Sequence, residues 1–303
     1  MTSAVSKDGT LNVACAVEKA YVKHCAAMLL SVLDQRGSLD VAIHFMHGPD
    51  VGRRWREALA SMVNREGGRI SFMEIPDVWL AGLPIKGVGH KATWYRTFLP
   101  RLLPDCDRIL YLDADVLALD SLEPLWRTEL EGHLVAAVTN VFPPDWIGHA
   151  RQLGIPSERY FNAGVLILGL ERMRELDVTQ ELLDYGIGHA DELVLKDQDA
   201  LNVVLGPDRL DLHPRWNCMN SVLGFPASMD VFERAEVEEA RANPAIRHFE
   251  GPGPNKPWHY EFEREMAEIY ALYRSRTPWP RFRREGATPR AIARRLRGSS
   301  AKP

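Results

Sequence analysis

The stretch that decides the fold is residues 108–120, Arg-Ile-Leu-Tyr-Leu-Asp-Ala-Asp-Val-Leu-Ala-Leu-Asp. Its unbroken apolar run predicts a strand covered on both faces in a mostly parallel sheet, and ligands of such sheets bind beyond the carboxyl ends of the strands. Two acids, Asp113 and Asp115, stand at that end. Because residues i and i+2 of a regular strand point to the same face, we expect the two carboxylates to converge on one point.

Two neighbouring carboxylates repel each other unless a cation lies between them. Oxygen ligands are those that magnesium and manganese prefer, and these ions commonly complete their coordination with phosphate oxygens. The acidic pair therefore predicts a metal site that binds a diphosphate.

Strands and helices alternate before this stretch. The apolar patterns predict strands at 11–17, 41–46 and 70–75, with helices at 21–33 and 51–63 between them. This order is typical of an α/β nucleotide-binding sheet with right-handed crossovers. A loop rich in glycine and proline at 82–89 and a helical pattern at 91–103 lead into the central strand.

The later elements are less regular. We predict strands at 133–139, 160–168, 210–212 and 246–249 and helices at 121–126, 171–185, 197–202 and 261–273. Residues 248–258, His-Phe-Glu-Gly-Pro-Gly-Pro-Asn-Lys-Pro-Trp, predict a loop that ends in a cation and an aromatic residue.

Three segments, in this order, resemble glycosyltransferase family 8. They are Tyr111-Leu112-Asp113-Ala114-Asp115, Tyr160-Phe161-Asn162-Ala163-Gly164-Val165, and His248-Phe249-x-Gly251 followed by Lys256-Pro257-Trp258. The resemblance covers roughly residues 11–273. It implies a GT-A fold, which is a Rossmann-like α/β fold with a mixed central sheet, and a manganese-dependent transferase that takes UDP-sugars and retains anomeric configuration. The family includes bacterial lipopolysaccharide and lipooligosaccharide galactosyl- and glucosyltransferases and the glycogenins.

The resemblance also implies roles for individual residues. Asp113 and Asp115 match the metal-binding Asp-x-Asp motif, and His248 matches the third metal ligand; manganese is the expected ion, with magnesium as the alternative. The positions that match nucleotide-sugar contacts are Ala16 and Glu18 at the nucleoside, Arg96, Gly251 and Lys256 at the diphosphate, and Ala114, Asn140, Asn162 and Ala163 towards the sugar. Asp197 and Gln198 match the pair beside the reacting carbon.

Two of these positions depart from the family pattern. Glu18 stands where close relatives often carry Asp, and Asn140 stands where well-known galactosyltransferases of the family carry Asp. The donor sugar therefore stays open between glucose and galactose.

Breaking the bond to a diphosphate develops negative charge on UDP, which a metal together with Arg96, His248 and Lys256 would neutralise. Retention needs either a side-chain nucleophile or attack from the face that UDP leaves. An amide such as Gln198 is a poor nucleophile, so we favour same-face attack, with a UDP oxygen accepting the proton of the acceptor hydroxyl.

Other interpretations remain open from the residues alone. An apolar-Asp-x-Asp-Val string also begins haloacid-dehalogenase-type phosphatases, where Asp113 would be the nucleophile, although that class carries it on the first strand. A non-catalytic protein that only binds sugar nucleotides is a further alternative. Taken singly, His248 fits a structural histidine, Arg96 a cover for apolar surface and Asp197 a helix-start acid.

Composition limits the class of protein. The chain has 303 residues, of which 46% are hydrophobic, so it can bury a large core. Four cysteines show neither Cys-x-x-Cys nor zinc spacing, and we expect them to be reduced core residues. The longest uncharged apolar stretches fall far below the ~18–20 residues that a bilayer span requires. No apolar signal-peptide core is present, so we expect a cytoplasmic location.

Charge is distributed unevenly. Residues 281–303 contain seven arginines and one lysine against one glutamate, a net charge of +7, so residues 1–280 carry −11 of the total of −4. An acidic body argues against nucleic acid, whereas a basic tail suits an anionic membrane. We expect a short N-terminal tail (1–10), one catalytic domain (11–275) and a basic tail (276–303). In the tail, a short helix at 291–297 with Trp279 and Phe282 at lipid headgroups would make peripheral contact with the cytoplasmic membrane and its lipid-linked or lipopolysaccharide acceptor.

Overall fold

The computed structural model describes residues 9–85, 91–146, 148–262, 264–289 and 292. Its main sheet has seven strands in the order β3-β2-β1-β4-β7-β6-β8. These strands are β1 (Thr10–Val17), β2 (Asp40–His47), β3 (Arg69–Glu74), β4 (Ile109–Leu112), β6 (Val135–Thr139), β7 (Phe161–Leu168) and β8 (Arg209–Asp211). Strands β3, β2, β1 and β4 are parallel, β7 is antiparallel to both of its neighbours, and β8 is parallel to β6. The predicted α/β fold with a mixed central sheet is confirmed.

Helices cover both faces of this sheet. They are α1 (Val22–Asp34), α2 (Arg53–Arg65), α3 (Leu99–Leu102), α4 (Glu123–Trp126), α5 (His149–Gln152), α6 (Leu170–Glu175), α7 (Val178–Gly188), α8 (Asp197–Leu205), α9 (Asn220–Gly224), α10 (Ser228–Val231), α11 (Arg234–Ala242) and α12 (Arg264–Arg276). A 3₁₀ helix, Lys91–Phe98, precedes α3.

The central strand β4 is buried on both sides, as its unbroken apolar run predicts. Leu110 and Leu112 belong to one core cluster, whereas Ile109 and Tyr111 belong to the cluster on the opposite face. Every residue of the neighbouring strand β7 is buried as well. Burial of this kind explains why polar groups appear only where these strands begin or end.

A second sheet of three strands brings the C-terminal half of the chain to the end of β4. It consists of β5 (Val116–Ala118), β9 (Cys218–Met219) and β10 (Ile246–His248), in the order β5-β10-β9. His248 pairs with Val116 in antiparallel register, and the Phe249 N–H donates to the Asp115 carbonyl oxygen at 3.0 Å. This pairing places the histidine beside the acidic pair, which the sequence pattern does not reveal.

Two sequence-based expectations are wrong. The acidic pair stands at the end of β4 as predicted, but regular strand geometry does not bring the two carboxylates together, because β4 ends at Leu112, β5 begins at Val116 and the residues between them form a turn. The single helix expected at 171–185 is two helices, α6 and α7, since Asp177 adopts a left-handed φ of 48° between them.

The chain turns back onto the body after α12. The Glu285 N–H donates to the Trp258 carbonyl oxygen at 3.0 Å, and the Glu285 carbonyl oxygen accepts from the Tyr260 N–H at 2.8 Å. Trp279 packs on Trp55 with ring centroids 4.7 Å apart, and Phe282 contacts Tyr270 of helix α12. Both rings thus pack on the protein itself, whereas we expected them at lipid headgroups. The helix predicted at 291–297 lies outside the described residues apart from residue 292.

No helix in the described ranges is both long enough and apolar enough to cross a bilayer.

Candidate active site

A pocket of about 850 Å³ opens at the carboxyl ends of β1 and β4, and residues 250–253 form its opposite wall. The predicted site residues that line it are Ala16, Glu18, Arg96, Asp113, Ala114, Asp115, Asn162, Ala163, Asp197, Gln198, His248, Gly251 and Lys256. Asn140 instead lies behind the pocket wall, where its Oδ1 accepts a hydrogen bond from Asn162 Nδ2 at 3.3 Å. The structure thus gathers residues that span most of the chain, with Asn140 as the exception.

Three potential metal ligands meet in this pocket. One ligand atom from each of Asp113, Asp115 and His248 lies within 4.8 Å of the other two. Gly164 of strand β7 permits this approach, because a Cβ atom at that position would overlap His248 Cε1 and lie 3.0 Å from Asp113 Oδ2. The Asp113 N–H also donates to the Gly164 carbonyl oxygen at 2.8 Å, which fixes the turn after β4.

A buried hydrogen-bond chain orients the imidazole. Asn217 donates through Nδ2 to Asn162 Oδ1 at 2.9 Å, so its own Oδ1 is the acceptor that faces His248 Nδ1 at 2.9 Å. The Nδ1 atom therefore carries a proton, and Nε2 is the nitrogen that faces Asp115, at 3.5 Å from Oδ1. Hydrogen bonds of this kind commonly fix the tautomer of metal-binding histidines.

Each carboxylate of the pair has a cationic neighbour. Asp113 Oδ1 accepts from Arg96 Nη2 at 3.1 Å and from the Tyr111 hydroxyl at 3.0 Å. Asp115 forms an ion pair with Lys256, whose ammonium also donates to the Phe249 carbonyl oxygen at 2.7 Å. Burial would raise the pKa of Asp115, but Lys256 and His248 outweigh it and hold that pKa below its usual range. Two carboxylates and an imidazole nitrogen are ligands that suit manganese or magnesium.

Arg96 links this acidic pair to the far side of the pocket. Its guanidinium is 3% exposed and lies 4.2 Å from the centroid of the Tyr111 ring. One edge contacts Asp113, another lies 3.2 Å from Asp197 Oδ2, and Nη1 donates to the Ala163 carbonyl oxygen. Burial alone would lower its pKa, but Asp113 and other neighbouring acids raise it above the usual value. Arg96 is therefore a buried member of the site and not a surface cover.

Asp197 and Gln198 open helix α8 at the opposite wall. Asp197 is buried, and its Oδ2 atom accepts no hydrogen bond from the described residues, although Arg96 lies near it. Burial raises the pKa of Asp197, with Arg96 acting against that shift. Gln198 accepts from the Ala163 N–H at 2.9 Å through Oε1. Because Arg96 occupies the Ala163 carbonyl oxygen, both backbone groups of Ala163 are bonded within the protein.

The family model described as glycosyl transferase family 8 matches residues 12–261. The chain belongs to this family. It is 29% identical over 283 residues to General stress protein A of Bacillus subtilis (strain 168), with 90% of this chain and 96% of that protein covered. It is 25% identical over 273 residues to lipopolysaccharide 1,2-glucosyltransferase of Escherichia coli (strain K12), with 89% and 79% covered.

Among solved structures, the galactosyltransferase LgtC in complex with donor and acceptor sugar analogs superposes with a TM-score of 0.77 at 26% identity. The match covers 88% of this chain and 96% of that one. The fold is accordingly the GT-A fold of family 8 glycosyltransferases. The phosphatase alternative has no support, because the acidic pair follows the fourth strand along the chain and not the first.

Several pocket residues of this family member escape sequence reasoning. Tyr21 and Glu285 line the pocket, yet no motif contains them, and Glu285 reaches it only because the chain turns back after α12. Asn217, the last residue of a short 3₁₀ helix (Pro214–Asn217), orients His248, yet no motif contains it. Tyr160 adjoins the Asn-Ala-Gly segment, and its hydroxyl accepts a hydrogen bond from Gln198 Nε2 at 3.4 Å.

Proposed function

We propose that this protein is a retaining hexosyltransferase that moves glucose or galactose from a UDP-sugar to a glycan acceptor of lipopolysaccharide or another surface polysaccharide. The observation that carries the proposal is the convergence of Asp113, Asp115 and His248 in one pocket, with Lys256 beside them. Family membership supports the transfer of a sugar, and the acidic pair supports a donor that carries a diphosphate. The glucosyltransferase and galactosyltransferase relatives support a hexose.

Asp113, Asp115 and the Nε2 atom of His248 would hold manganese, or magnesium in its place. When bound, the ion supplies positive charge to the diphosphate of the donor. The chain adds its own cation: Lys256 would move from Asp115 to the phosphate oxygens, close to the backbone of Gly251. That glycine has a φ of 93°, a conformation that residues with a side chain rarely adopt.

The sugar would lie between this charged wall and helix α8. Asp197 Oδ2, which has no hydrogen-bond donor among the described residues, would accept from a sugar hydroxyl. Ala16, Glu18 and Tyr21 would hold the nucleoside at the end of β1. Arg96 would fix the positions of the Asp113 and Asp197 side chains relative to each other, because it forms an ion pair with both.

Retention follows from attack on the face that the diphosphate leaves. The bond between the anomeric carbon and the phosphate oxygen breaks, the acceptor oxygen bonds to that carbon, and the hydroxyl proton passes to the departing oxygen of UDP. Gln198 is an unsuitable nucleophile because it is a neutral amide whose oxygen already accepts from Ala163. Isolation of a sugar covalently attached to Gln198 or Asp197 would contradict this mechanism.

UDP release provides a test that needs no acceptor. Purified protein is incubated with UDP-glucose, UDP-galactose, UDP-N-acetylglucosamine and a GDP-sugar, with and without manganese. The proposal expects manganese-dependent release of UDP from one of the two hexose donors, and loss of that release in Asp115→Asn with an unchanged circular dichroism spectrum. Binding of the donor without any turnover, with or without acceptor glycans, would instead indicate the non-catalytic alternative.

We also propose that the basic tail 276–303, which follows the catalytic domain 11–275, makes peripheral contact with the inner face of the cytoplasmic membrane. Glu285 is hydrogen-bonded to Trp258 and Tyr260 of the body, so the informative deletion spares this contact and removes 290–303 only. Each basic residue near an anionic surface contributes about 1 kcal/mol of binding. The deletion should weaken sedimentation with phosphatidylglycerol vesicles and leave UDP release unchanged; equal sedimentation of both proteins would exclude this role.

A further inference from the structure

A second cavity, of about 600 Å³, lies beside the pocket and has no part in the proposed transfer. Helix α1 and the turn before it form one wall, Trp55 of α2 forms another, and the segment after α12 forms the third. Trp258 and Glu285 line both cavities and separate them. We call this space the cationic cavity, for the reason given next.

Its charged lining is almost entirely basic. The cations are Lys19, Lys23, Arg274, Arg281 and Arg283, against the single carboxylate of Glu285 in the described lining. Lys19, Lys23, Arg281 and Arg283 are exposed, and none of the four forms an ion pair with a carboxylate within the described ranges. Residues 1–280 carry a net charge of −11, so this local concentration of positive charge contrasts with the rest of the body. A concave surface of one sign raises the local concentration of ions of the opposite sign.

The inner wall contains a buried guanidinium without a counter-ion. Arg274 is 1% exposed, and its Nη1 donates to Thr277 Oγ1 at 2.8 Å. Its Nε atom has no hydrogen-bond partner among the described residues, and no described carboxylate pairs with it. Burial lowers the pKa of Arg274. A buried charge without a counter-ion is costly even when it is hydrogen-bonded, so an anion in the adjoining cavity would stabilise it.

His24 is a neutral part of the same wall. Its ring stacks on Trp258 at 3.7 Å, and its Nδ1 shares a hydrogen bond of 2.6 Å with the Tyr270 hydroxyl. Burial, together with the charge of Arg274 and Lys23, lowers the pKa of His24 to about 3. The ring therefore stays neutral and does not neutralise an anion, but neither does it repel one.

Aromatic faces make up the remainder of the wall. The Trp55 ring lies 5.6 Å from the Lys23 ammonium, and Phe282 lies 5.6 Å from the Arg274 guanidinium, so each ring adjoins a cation. Trp279 supports Trp55 from behind. A ligand that combines an anionic group with a sugar ring or a hydrocarbon would satisfy both parts of this lining.

We propose that the cationic cavity binds a phosphate group attached to a sugar or a lipid. Lys19, Lys23, Arg281 and Arg283 would contact the phosphate, and Trp55 and Phe282 would cover the attached group. The site is separate from the one that we assign to the diphosphate of the donor, which Lys256 and Gly251 border. The proposal therefore stands or falls independently of the proposed transfer.

Calorimetric titration of the full chain tests it with three probes: inorganic phosphate, glucose 6-phosphate, and dihexanoyl phosphatidic acid below its micelle concentration. Each titration is run with and without UDP and manganese. We expect saturable binding of one molecule that UDP does not compete away. Tighter binding of the phosphatidic acid than of the sugar phosphate would identify a lipid headgroup as the source, and the reverse would identify a phosphosugar.

Matched variants distinguish a built site from general charge attraction. Lys23→Ser combined with Arg283→Ser should weaken binding at least tenfold, whereas Arg69→Ser combined with Arg234→Ser, which removes two exposed cations elsewhere, should not. Trp55→Ala should weaken binding of the two organic probes and spare inorganic phosphate. Equal losses in the two double variants, or competition by UDP, would overturn the proposal. A Trp55 variant that binds all three probes like the wild type would refute the aromatic part.

Discussion

The Nδ1 atom of His248 lies 2.9 Å from Oδ1 of Asn217, and this bond decides which ring nitrogen faces the acidic pair. Asn217 is fully buried, and its Nδ2 atom is committed to Asn162 at 2.9 Å. The amide therefore cannot rotate without losing both hydrogen bonds. A buried amide chain, and not the histidine alone, directs Nε2 towards the acidic pair, where we propose that the metal binds.

Replacing that amide tests its role. Asn217→Leu keeps the volume but removes the acceptor, and we expect manganese affinity to fall about 10–100-fold, the usual effect of losing such a supporting group. The free manganese signal in electron paramagnetic resonance measures the affinity. Asn217→Asp retains an acceptor for Nδ1 and should bind manganese within a few-fold of the wild type. Unchanged affinity in the leucine variant would show that the histidine orients itself or does not bind the metal.

Gly164 controls how closely His248 approaches Asp113. In Gly164→Ala the added methyl group would overlap the imidazole, and the neighbouring backbone is held by the hydrogen bond from Asp113. We expect a loss of about 1–3 kcal/mol in the free energy of unfolding, as for other overpacked positions, together with weaker manganese binding. Urea denaturation measures the first effect. Gly224→Ala, where no atom lies within 4 Å of the added carbon, is the matched control and should change neither quantity by as much.

Buried strands and their ends could be predicted from the sequence because an apolar run such as 109–112 must be covered on both faces. The position of Asp113 and Asp115 at the end of that run was predicted, but the reason for their convergence was not. They approach each other in a turn, and the side chain that completes the set arrives through pairing of His248 with Val116, a contact between residues far apart in the chain. Local patterns do not encode such a pairing.

Other features escaped prediction for related reasons. Asp177 breaks a helix by adopting a positive φ, although its neighbours continue an apolar helical period. Asn217 and Glu285 acquire their roles only through tertiary contacts. The roles that we propose for Arg96 and Asp197 come from the family resemblance alone. Taken singly, Arg96 fitted a cover for apolar surface and Asp197 an acid at a helix start.

Lys256 allows metal binding and diphosphate binding to be separated. Its ammonium pairs with Asp115, so it competes with a metal ion for that carboxylate, yet we assign it to the diphosphate once the donor binds. Lys256→Met should therefore bind manganese alone as tightly as the wild type or more tightly, but bind UDP in the presence of manganese at least tenfold more weakly. Titration calorimetry resolves both affinities. A parallel loss of manganese and UDP binding would contradict this division of roles.

Gln198 is held by a second buried chain. The Tyr160 hydroxyl donates to Asp199 Oδ1 at 2.5 Å and accepts from Gln198 at 3.4 Å, and Asp199 Oδ1 also lies 2.7 Å from His149 Nε2. Tyr160→Phe removes the contact to Gln198 without changing the shape of the core. We expect kcat for transfer to fall about tenfold, the effect of roughly 1.4 kcal/mol at the transition state, with manganese affinity unchanged. A rise in KM without a change in kcat would place the role of Tyr160 in donor binding instead.

His24 should make stability depend on pH in a predictable direction. Burial is the largest cause of its lowered pKa, followed by Arg274, and the value of about 3 lies well below the usual 6.5. As the pH falls, His24 therefore becomes protonated near pH 6.5 in the unfolded chain but only near pH 3 in the folded chain. The stability that the neutral ring allows is complete above pH 6.5 and is lost progressively as the pH falls below it.

Between pH 7.5 and 5 this one group should remove about 2 kcal/mol from the free energy of unfolding. Glu285 lies 3.9 Å from His24 Nε2, but its side chain is 59% exposed, so solvent screens its attraction for the proton. In His24→Gln the titrating group is removed, and the glutamine can still form a hydrogen bond with Tyr270. Between pH 7.5 and 5 the free energy of unfolding of this variant should therefore fall by about 2 kcal/mol less than that of the wild type. Urea unfolding of both proteins at several pH values measures the difference. All other titrating groups are common to the two proteins, so parallel pH profiles would mean that His24 is protonated in the folded state.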